Sequence, residues 1–254
     1  MSMPFYVAPE QVMKDRADYA RKGIARGRAL VALSCAGGVV ICAENTSDTL
    51  RKVAEIYDRI GFAGVGRYNE FDQLRIAGVR HADLKGFSFS REDVDARSLA
   101  NAYAQMLGQI FTHEMKPLEV EILVAEVQAT PAADQLFHIL YDGTVMDEGG
   151  FCVLGGEADA VTARVQQGWA EALDLQAAVR LAAEALAGPA RQLDAGDFEV
   201  AVLERGAERR AFRRLDDAEV ADLLGGPVGG GAAGEGQASE TTEPGGDAAP
   251  EADA

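Results

Sequence analysis

Cysteine, histidine, tryptophan and basic residues are all scarce in this chain of 254 residues. There are three cysteines, three histidines and one tryptophan, and 24 Lys and Arg stand against 41 Asp and Glu. Cys35, Cys42 and Cys152 cannot all pair, and none forms a C-x-x-C, so a disulfide scaffold is excluded and a reducing cytoplasm fits. Cys35 and Cys42 lie in apolar runs and read as small core side chains. A net charge of −17 argues against nucleic acid, whose binders need a basic face to displace counterions from phosphates. It argues equally against an anionic membrane surface. Long apolar runs are missing too. The most apolar stretch, Ala29 to Ala43, is interrupted by Ser34 and Gly37-Gly38 and is too short to span a bilayer. Met1 to Glu10 has no basic segment followed by an apolar one, so no signal peptide is expected.

What is present is an ordinary globular profile, 48% hydrophobic and 26% charged, followed by an acidic tail. From Gly225 the chain is Gly, Ala, Pro and acid, with six carboxylates and no Lys or Arg; removing these charges leaves −11 on the body. Residues 225–254 are expected to be disordered, because they bury too little apolar area to offset chain entropy. Residues 1–8 read as a short mobile segment and residues 9–224 as the folded domain.

Pro9 suits a first helical turn, where its missing N–H costs nothing, and Glu10 suits the positive end of the helix dipole. Met13, Ala17, Ala20 and Ile24 make an apolar stripe, predicting a helix from about Pro9 to Ala25. Strands are expected at 29–35, 39–44, 60–66, 120–127, 136–141, 144–146, 151–154, 198–204 and 210–214. The stretch 49–57 is ambiguous. Asp142-Gly143 is a strong hairpin signal. Helices are expected at 68–85, 96–114, 158–172, 175–187 and 216–224. Phe71, Leu74, Ala82 and Leu84 would line the first of these. Leu99, Tyr103, Met106 and Ile110 would line the second, with Asp95 as N-cap. Strands come in hairpins and helices in pairs, which disfavours a doubly wound parallel sheet. The expected fold is α+β: two antiparallel sheets face to face with a helix pair on each outer face, a four-layer αββα sandwich.

A catalytic constellation is hard to find. His81 and Asp83 are two apart on a helix and do not share a face. His113-Glu114 lacks the second histidine of H-E-x-x-H, and His138 sits mid-strand; all three read as surface or core histidines. No Cys/His spacing matches a structural zinc site, and neither metal nor cofactor is expected. Gly61 to Gly66 ends a strand before a helix, but its glycine spacing does not suit a nucleotide loop. One class of hydrolase uses this sandwich with a Thr, Ser or Cys as the first residue of the first strand, its α-amine serving as base. Here that strand begins near Arg28-Ala29, behind a whole helix, and no such residue stands there. Loss of Met1 would expose Ser2, far from the strand. An autonomous hydrolase with Ser2 as nucleophile is the alternative reading.

Pro9-Glu10-Gln11 followed by Asp18-Tyr19-Ala20-Arg21-Lys22-Gly23 resembles the N-terminal signature of proteasome α subunits, most of all the bacterial, actinobacterial type. Ala36-Gly37-Gly38-Val39, Tyr57-Asp58-Arg59, Asn69-Glu70-Phe71-Asp72, Val124-Ala125-Glu126-Val127 and Arg210-Ala211-Phe212-Arg213-Arg214 extend the resemblance, which runs from about Met3 to Leu224. It implies a non-catalytic structural and gating subunit of the 20S core. Such subunits form seven-membered outer rings with other α subunits and cap rings of β subunits, which carry the threonine-type peptidase. It also implies an AAA ATPase ring as partner, in a cytoplasmic system that degrades modifier-tagged proteins. On this resemblance Met1 to Ala8 is the pore gate, with Phe5, Tyr6 and Val7 supplying apolar surface and Pro9 setting the turn. On the residues alone, Phe5 to Val7 could equally be a frayed end or pack on their own subunit. The resemblance also implies that a lysine pairs with the carboxylate of an ATPase tail. Lys52 matches by position, and Arg59 is the alternative. On residues alone, Lys52 is an ordinary solvated lysine.

Overall fold

A computed structural model describes residues 8–47 and 49–230. The N-terminal helix α1 (Pro9–Ile24) leads into strands β1 (Leu30–Cys35), β2 (Gly38–Glu44), β3 (Val53–Tyr57) and β4 (Ile60–Gly66). Helices α2 (Tyr68–Ser88) and α3 (Ala96–His113) follow, then β5 (Val120–Glu126), β6 (Gln135–Ile139), β7 (Val145–Glu148) and β8 (Phe151–Leu154). A second helix pair, α4 (Ala158–Gly168) and α5 (Leu175–Ala187), precedes β9 (Gln192–Leu193), β10 (Phe198–Glu204), β11 (Phe212–Arg214), α6 (Asp217–Leu224) and β12 (Val228–Gly229).

Two five-stranded antiparallel sheets form the centre. One has the order β11-β10-β2-β1-β8 and the other β3-β4-β5-β6-β7. Strands β1 and β2 are buried along their whole length because both faces are covered. Alternate residues serve different layers. Leu30, Ala32, Val39 and Ile41 face the opposite sheet. Val31, Leu33, Val40 and Cys42 face the apolar side of α5, which presents Ala178, Ala182 and Leu186. A third apolar layer joins Phe62, Ile122 and Val124 to Leu74, Leu99 and Tyr103 of α2 and α3. Three apolar layers between four layers of structure make the expected αββα sandwich.

Side-chain oxygens close several orphan helix N–H groups. Asp95 accepts from Ser98 N at 2.8 Å, as its sequence position predicts, and Asp174 accepts from Ala177 N at 2.7 Å. The ambiguous stretch resolves into β3, paired with β4 through a register shift between Glu55 and Tyr57. Gly61 and Gly64 are strand residues of β4, where Gly64 admits the Phe71 ring.

Several expectations need correction. Leu84, expected in the core, is 67% exposed, because it stands two residues, about 200° of helix rotation, from the buried Ala82 and so faces away from the sheet. The buried stripe of α3 runs through Ala96, Leu99, Ala100, Tyr103 and Leu107, leaving Met106 outside. Met13 on α1 is also exposed: only the C-terminal half, at Ala20 and Ile24, reaches the core. Helix α4 stops at Gly168 rather than residue 172. The folded part passes the expected edge at 224, since Val228 is buried and β12 pairs with β9. No described helix is long and apolar enough to cross a membrane.

Candidate functional site

The candidate positions fall mainly at two places on this scaffold, the start of β1 and the adjacent start of β3. At the first, α1 closes the space between the sheets. Ala20 and Ile24 belong to the inter-sheet apolar cluster together with Val65 and Leu154. The chain then turns tightly, with Gly27 N donating to Ile24 O at 2.8 Å and Gly27 O accepting from Gly156 N at 3.0 Å. A Cβ on Gly27 would stand 2.7 Å from the Val65 side chain, so only glycine fits the turn. Residues 27–30 are Gly, Arg, Ala and Leu, and the chain continues through them from α1. The position where a chain-terminal nucleophile would stand therefore holds neither a nucleophile nor a free amine.

Nearby hydroxyl and thiol groups are engaged elsewhere. Ser34 is buried and donates to Asp134, which is held in turn by a two-pronged contact from Arg205 at 2.8 Å. Cys35, Cys42 and Cys152 are buried, and desolvation pushes all three thiols up, away from the reactive thiolate. Ser2 lies outside the described residues.

Lys52 immediately precedes β3, and it is not the solvated lysine its sequence context suggests. Its Nζ donates to Arg28 O at 2.8 Å and Glu44 O at 2.9 Å, bridging the start of β1 and the end of β2. Its backbone N–H donates to the buried Glu199 at 2.8 Å, as does Val53 N at 3.2 Å. Asn45 Nδ2 adds a contact at 2.8 Å, and Arg214 pairs with the same carboxylate. Lys52 is thus fixed at both its backbone and its ammonium. Burial lowers its pKa to about 8, although the Glu44 and Glu199 charges oppose that fall. An ammonium has three donors, and two are engaged here, leaving one for an incoming acceptor.

The surroundings are rich in fixed charge. Glu44 is buried, pairs with Arg28 and receives Arg191 NH1 at 2.7 Å. Arg26, Arg28, Glu44 and Arg191 line a cavity of about 330 Å³ beside this network. Arg28, Glu44, Arg191 and Glu199 were invisible as site residues in the sequence; their partners are backbone atoms or side chains 15 or more positions away, at spacings that signal no motif.

Arg59 occupies the opposite end of β3, in the turn to β4. It pairs with Glu126 at 3.2 Å, whose other contacts are Ala96 N at 2.8 Å and Gln128 Nε2 at 2.9 Å. Burial raises the Glu126 pKa, and the Arg59 charge works against that rise. The structure therefore does not bring Arg59 and Lys52 together. Pro9 sits at the first turn of α1 after the uncapped Ala8. Phe5, Tyr6 and Val7 lie outside the described residues.

The fold can be compared with known proteins on this basis. The family profile described as "Proteasome subunit" matches residues 24–203, from the end of α1 to the end of β10. The chain belongs to the proteasome subunit family. Relatives named "Proteasome subunit alpha" match nearly its full length. That of Acidimicrobium ferrooxidans is 63% identical, over 89% of this chain and 97% of the relative. That of Xylanimonas cellulosilytica is 56% identical over 91% and 100%, and that of Thermobifida fusca 52% over 88% and 91%. In this proteasome subunit, α1 is the element that separates the chain's beginning from β1, and Lys52 is the lysine beside that junction.

Proposed function

We propose that this chain is the non-catalytic α subunit of a proteasome core, assembling with other α subunits and with β subunits, whose chains carry the peptidase. The packing of α1 across the start of β1 carries this reading. A chain that enters β1 through a helix cannot present a chain-terminal nucleophile there. The relatives' names agree with it.

The finer roles belong to the same proposal. Residues 1–8 gate the axial pore, with Phe5, Tyr6 and Val7 as the apolar contacts between copies and Pro9 as the fixed turn into α1. Helix α1 supports this because Val12 and Met13 in its N-terminal half, and Tyr19 further along, are exposed and available to neighbouring subunits. Lys52 receives the C-terminal carboxylate of an AAA ATPase subunit during degradation of modifier-tagged proteins. Its spare donor suits a carboxylate, which gains from a charge-assisted hydrogen bond, and the adjoining cavity sets Arg26, Arg28 and Arg191 against Glu44 and Glu157. Arg59 is the weaker candidate, since its charge is already matched by Glu126.

The test is degradation of a folded, tagged substrate by assembled particles with the ATPase. Lys52→Ala should abolish ATPase stimulation while leaving hydrolysis of short peptides by the core intact. Arg59→Ala should leave stimulation unchanged. The reverse pattern would move docking to Arg59. Removal of residues 2–8 should raise the entry of peptides several-fold, and an unchanged rate would remove the gate assignment.

A further inference from the structure

Buried or half-buried carboxylates in this molecule generally have a guanidinium or ammonium beside them: Glu44, Glu126, Asp134 and Glu199 each pair with an arginine. Glu121 and Glu148 do not. Among the described residues, no Lys or Arg nitrogen lies within 4.0 Å of either; the only cationic candidate that close to them is His138.

These groups meet at one edge of the sandwich, where β6 and β7 of one sheet approach β8 of the other. His138 stands opposite Leu123 across β5 and β6, which places Glu121 two residues along on the same face. Glu148 stands opposite Leu136, again two residues from His138 on that face. Leu123 and Leu136 belong to the inter-sheet layer, as does Cys152 from the facing sheet. The result is a pocket of ligand atoms assembled from four strands. One donor atom each from His138, Glu148 and Cys152 lie within 4.8 Å of one another. His138 Nδ1 is 4.0 Å from Glu148 Oε1, and Nε2 is 3.4 Å from Glu121 Oε2. His138 is 8% exposed, and its Nε2 is buried without a hydrogen-bond partner.

We propose that His138, Glu148 and Cys152 bind a divalent cation of the zinc class, with Glu121 orienting the histidine from behind. The donor set is one imidazole nitrogen, one carboxylate oxygen and one sulfur, which selects zinc over the harder calcium and magnesium ions. Bond lengths of about 2.0–2.3 Å place tetrahedral ligands about 3.3–3.8 Å apart, so the three donors need to close by roughly 1 Å. With Nδ1 on the metal, Nε2 faces Glu121 Oε2 at 3.4 Å, and a small ring rotation on binding would close the carboxylate–histidine–metal relay that fixes tautomer and ring orientation. Binding releases the Cys152 thiol proton to solvent, and the cation offsets the charges of the thiolate, Glu148 and Glu121. Three protein ligands leave one position for water, and the half-exposed Glu148 marks the side from which the ion enters. Such an ion would tie β6 and β7 to β8, stapling the two sheets at an edge with no main-chain ladder between them.

Linear spacing hides this site, because its donors come from three strands and fit no C-x-x-C or H-x-x-x-H pattern. The test uses the untagged full-length chain, stripped with chelator and titrated with Zn²⁺ and separately with Co²⁺. One Zn²⁺ per chain is expected, with a Co²⁺ spectrum carrying a thiolate charge-transfer band and a rise in Tm on metal addition. Cys152→Ala should remove the band. Glu148→Gln, a half-exposed change that leaves the fold intact, should weaken binding at least a hundredfold and cancel the rise in Tm. Glu121→Gln should weaken binding about 10–100-fold. Sub-stoichiometric binding, a band that survives Cys152→Ala, or equal affinity in Glu148→Gln and the parent chain would each overturn the assignment.

Discussion

If Lys52 receives an ATPase tail, as proposed above, its burial makes docking depend on pH in a way that an exposed lysine would not. Burial brings the Lys52 pKa from its ordinary 10.5 to about 8. The ammonium is therefore about nine-tenths populated at pH 7 and about one-tenth at pH 9. A tail carboxylate on the spare donor favours the charged form, so the bound lysine stays protonated across this range. Docking at pH 9 must then recruit a proton, and affinity per tail falls about tenfold from its value at pH 7, or about 1.4 kcal/mol. The assay is anisotropy of a labelled peptide with the ATPase's C-terminal sequence, titrated with assembled particles from pH 7 to pH 9.5, with the C-terminally amidated peptide as control. Lys52→Arg provides the internal check, since a guanidinium remains charged throughout and its profile should be flat, whatever its absolute affinity. A flat profile for the unaltered particle would refute the reasoning, as would an equal fall in Lys52→Arg. The same shift has a sign for stability. Between about pH 8 and 10.5 the unfolded chain holds the Lys52 proton and the folded chain has lost it, so this lysine's contribution to stability grows as pH rises through that window.

Three further predictions concern the scaffold. Arg205→Ala leaves the fully buried Asp134 without its cation and should lower unfolding stability by about 3–5 kcal/mol, read as a fall in urea midpoint at constant slope. Gly78→Ala places a Cβ 1.8 Å from Tyr103 Oη, which itself donates to Leu74 O at 2.9 Å, and should cost about 1–3 kcal/mol. Gly108→Ala on the neighbouring helix meets nothing closer than 3.5 Å and should instead stabilise by about 0.5–1 kcal/mol. Equal effects at the two glycines would mean that helix propensity, not the α2–α3 contact, governs them.

Much of the layering was legible because it rests on local signals. Pro9 opens α1, Asp95 caps α3, and Asp142-Gly143 turns β6 into β7 with Gly143 at φ 86°. Strands apolar on both faces, such as β1 and β2, pointed correctly to a sheet covered on each side. Apolar side chains that face outward were misread. Leu84 and Met106 carry the same sequence signal as core residues, yet they are exposed on the single chain. A periodic stripe reports an apolar face and not what covers it. The environment of Lys52 was illegible for a different reason. Its ammonium partners are carbonyl oxygens, which every residue possesses, and Glu199 reaches it from β10. The cluster of Glu121, His138, Glu148 and Cys152 was hidden likewise, since strand register rather than spacing assembles it.

The central claim is that this chain builds and guards a peptidase without performing hydrolysis. The most direct measurement is the native mass of the chain, isolated from its own host through a C-terminal tag, with a peptidase assay on the same fraction. The account predicts a large assembly containing a second chain with an N-terminal threonine, and activity that vanishes when that threonine is replaced. A small species of this chain alone that still cleaves peptide, and loses the activity in Ser2→Ala, would contradict it.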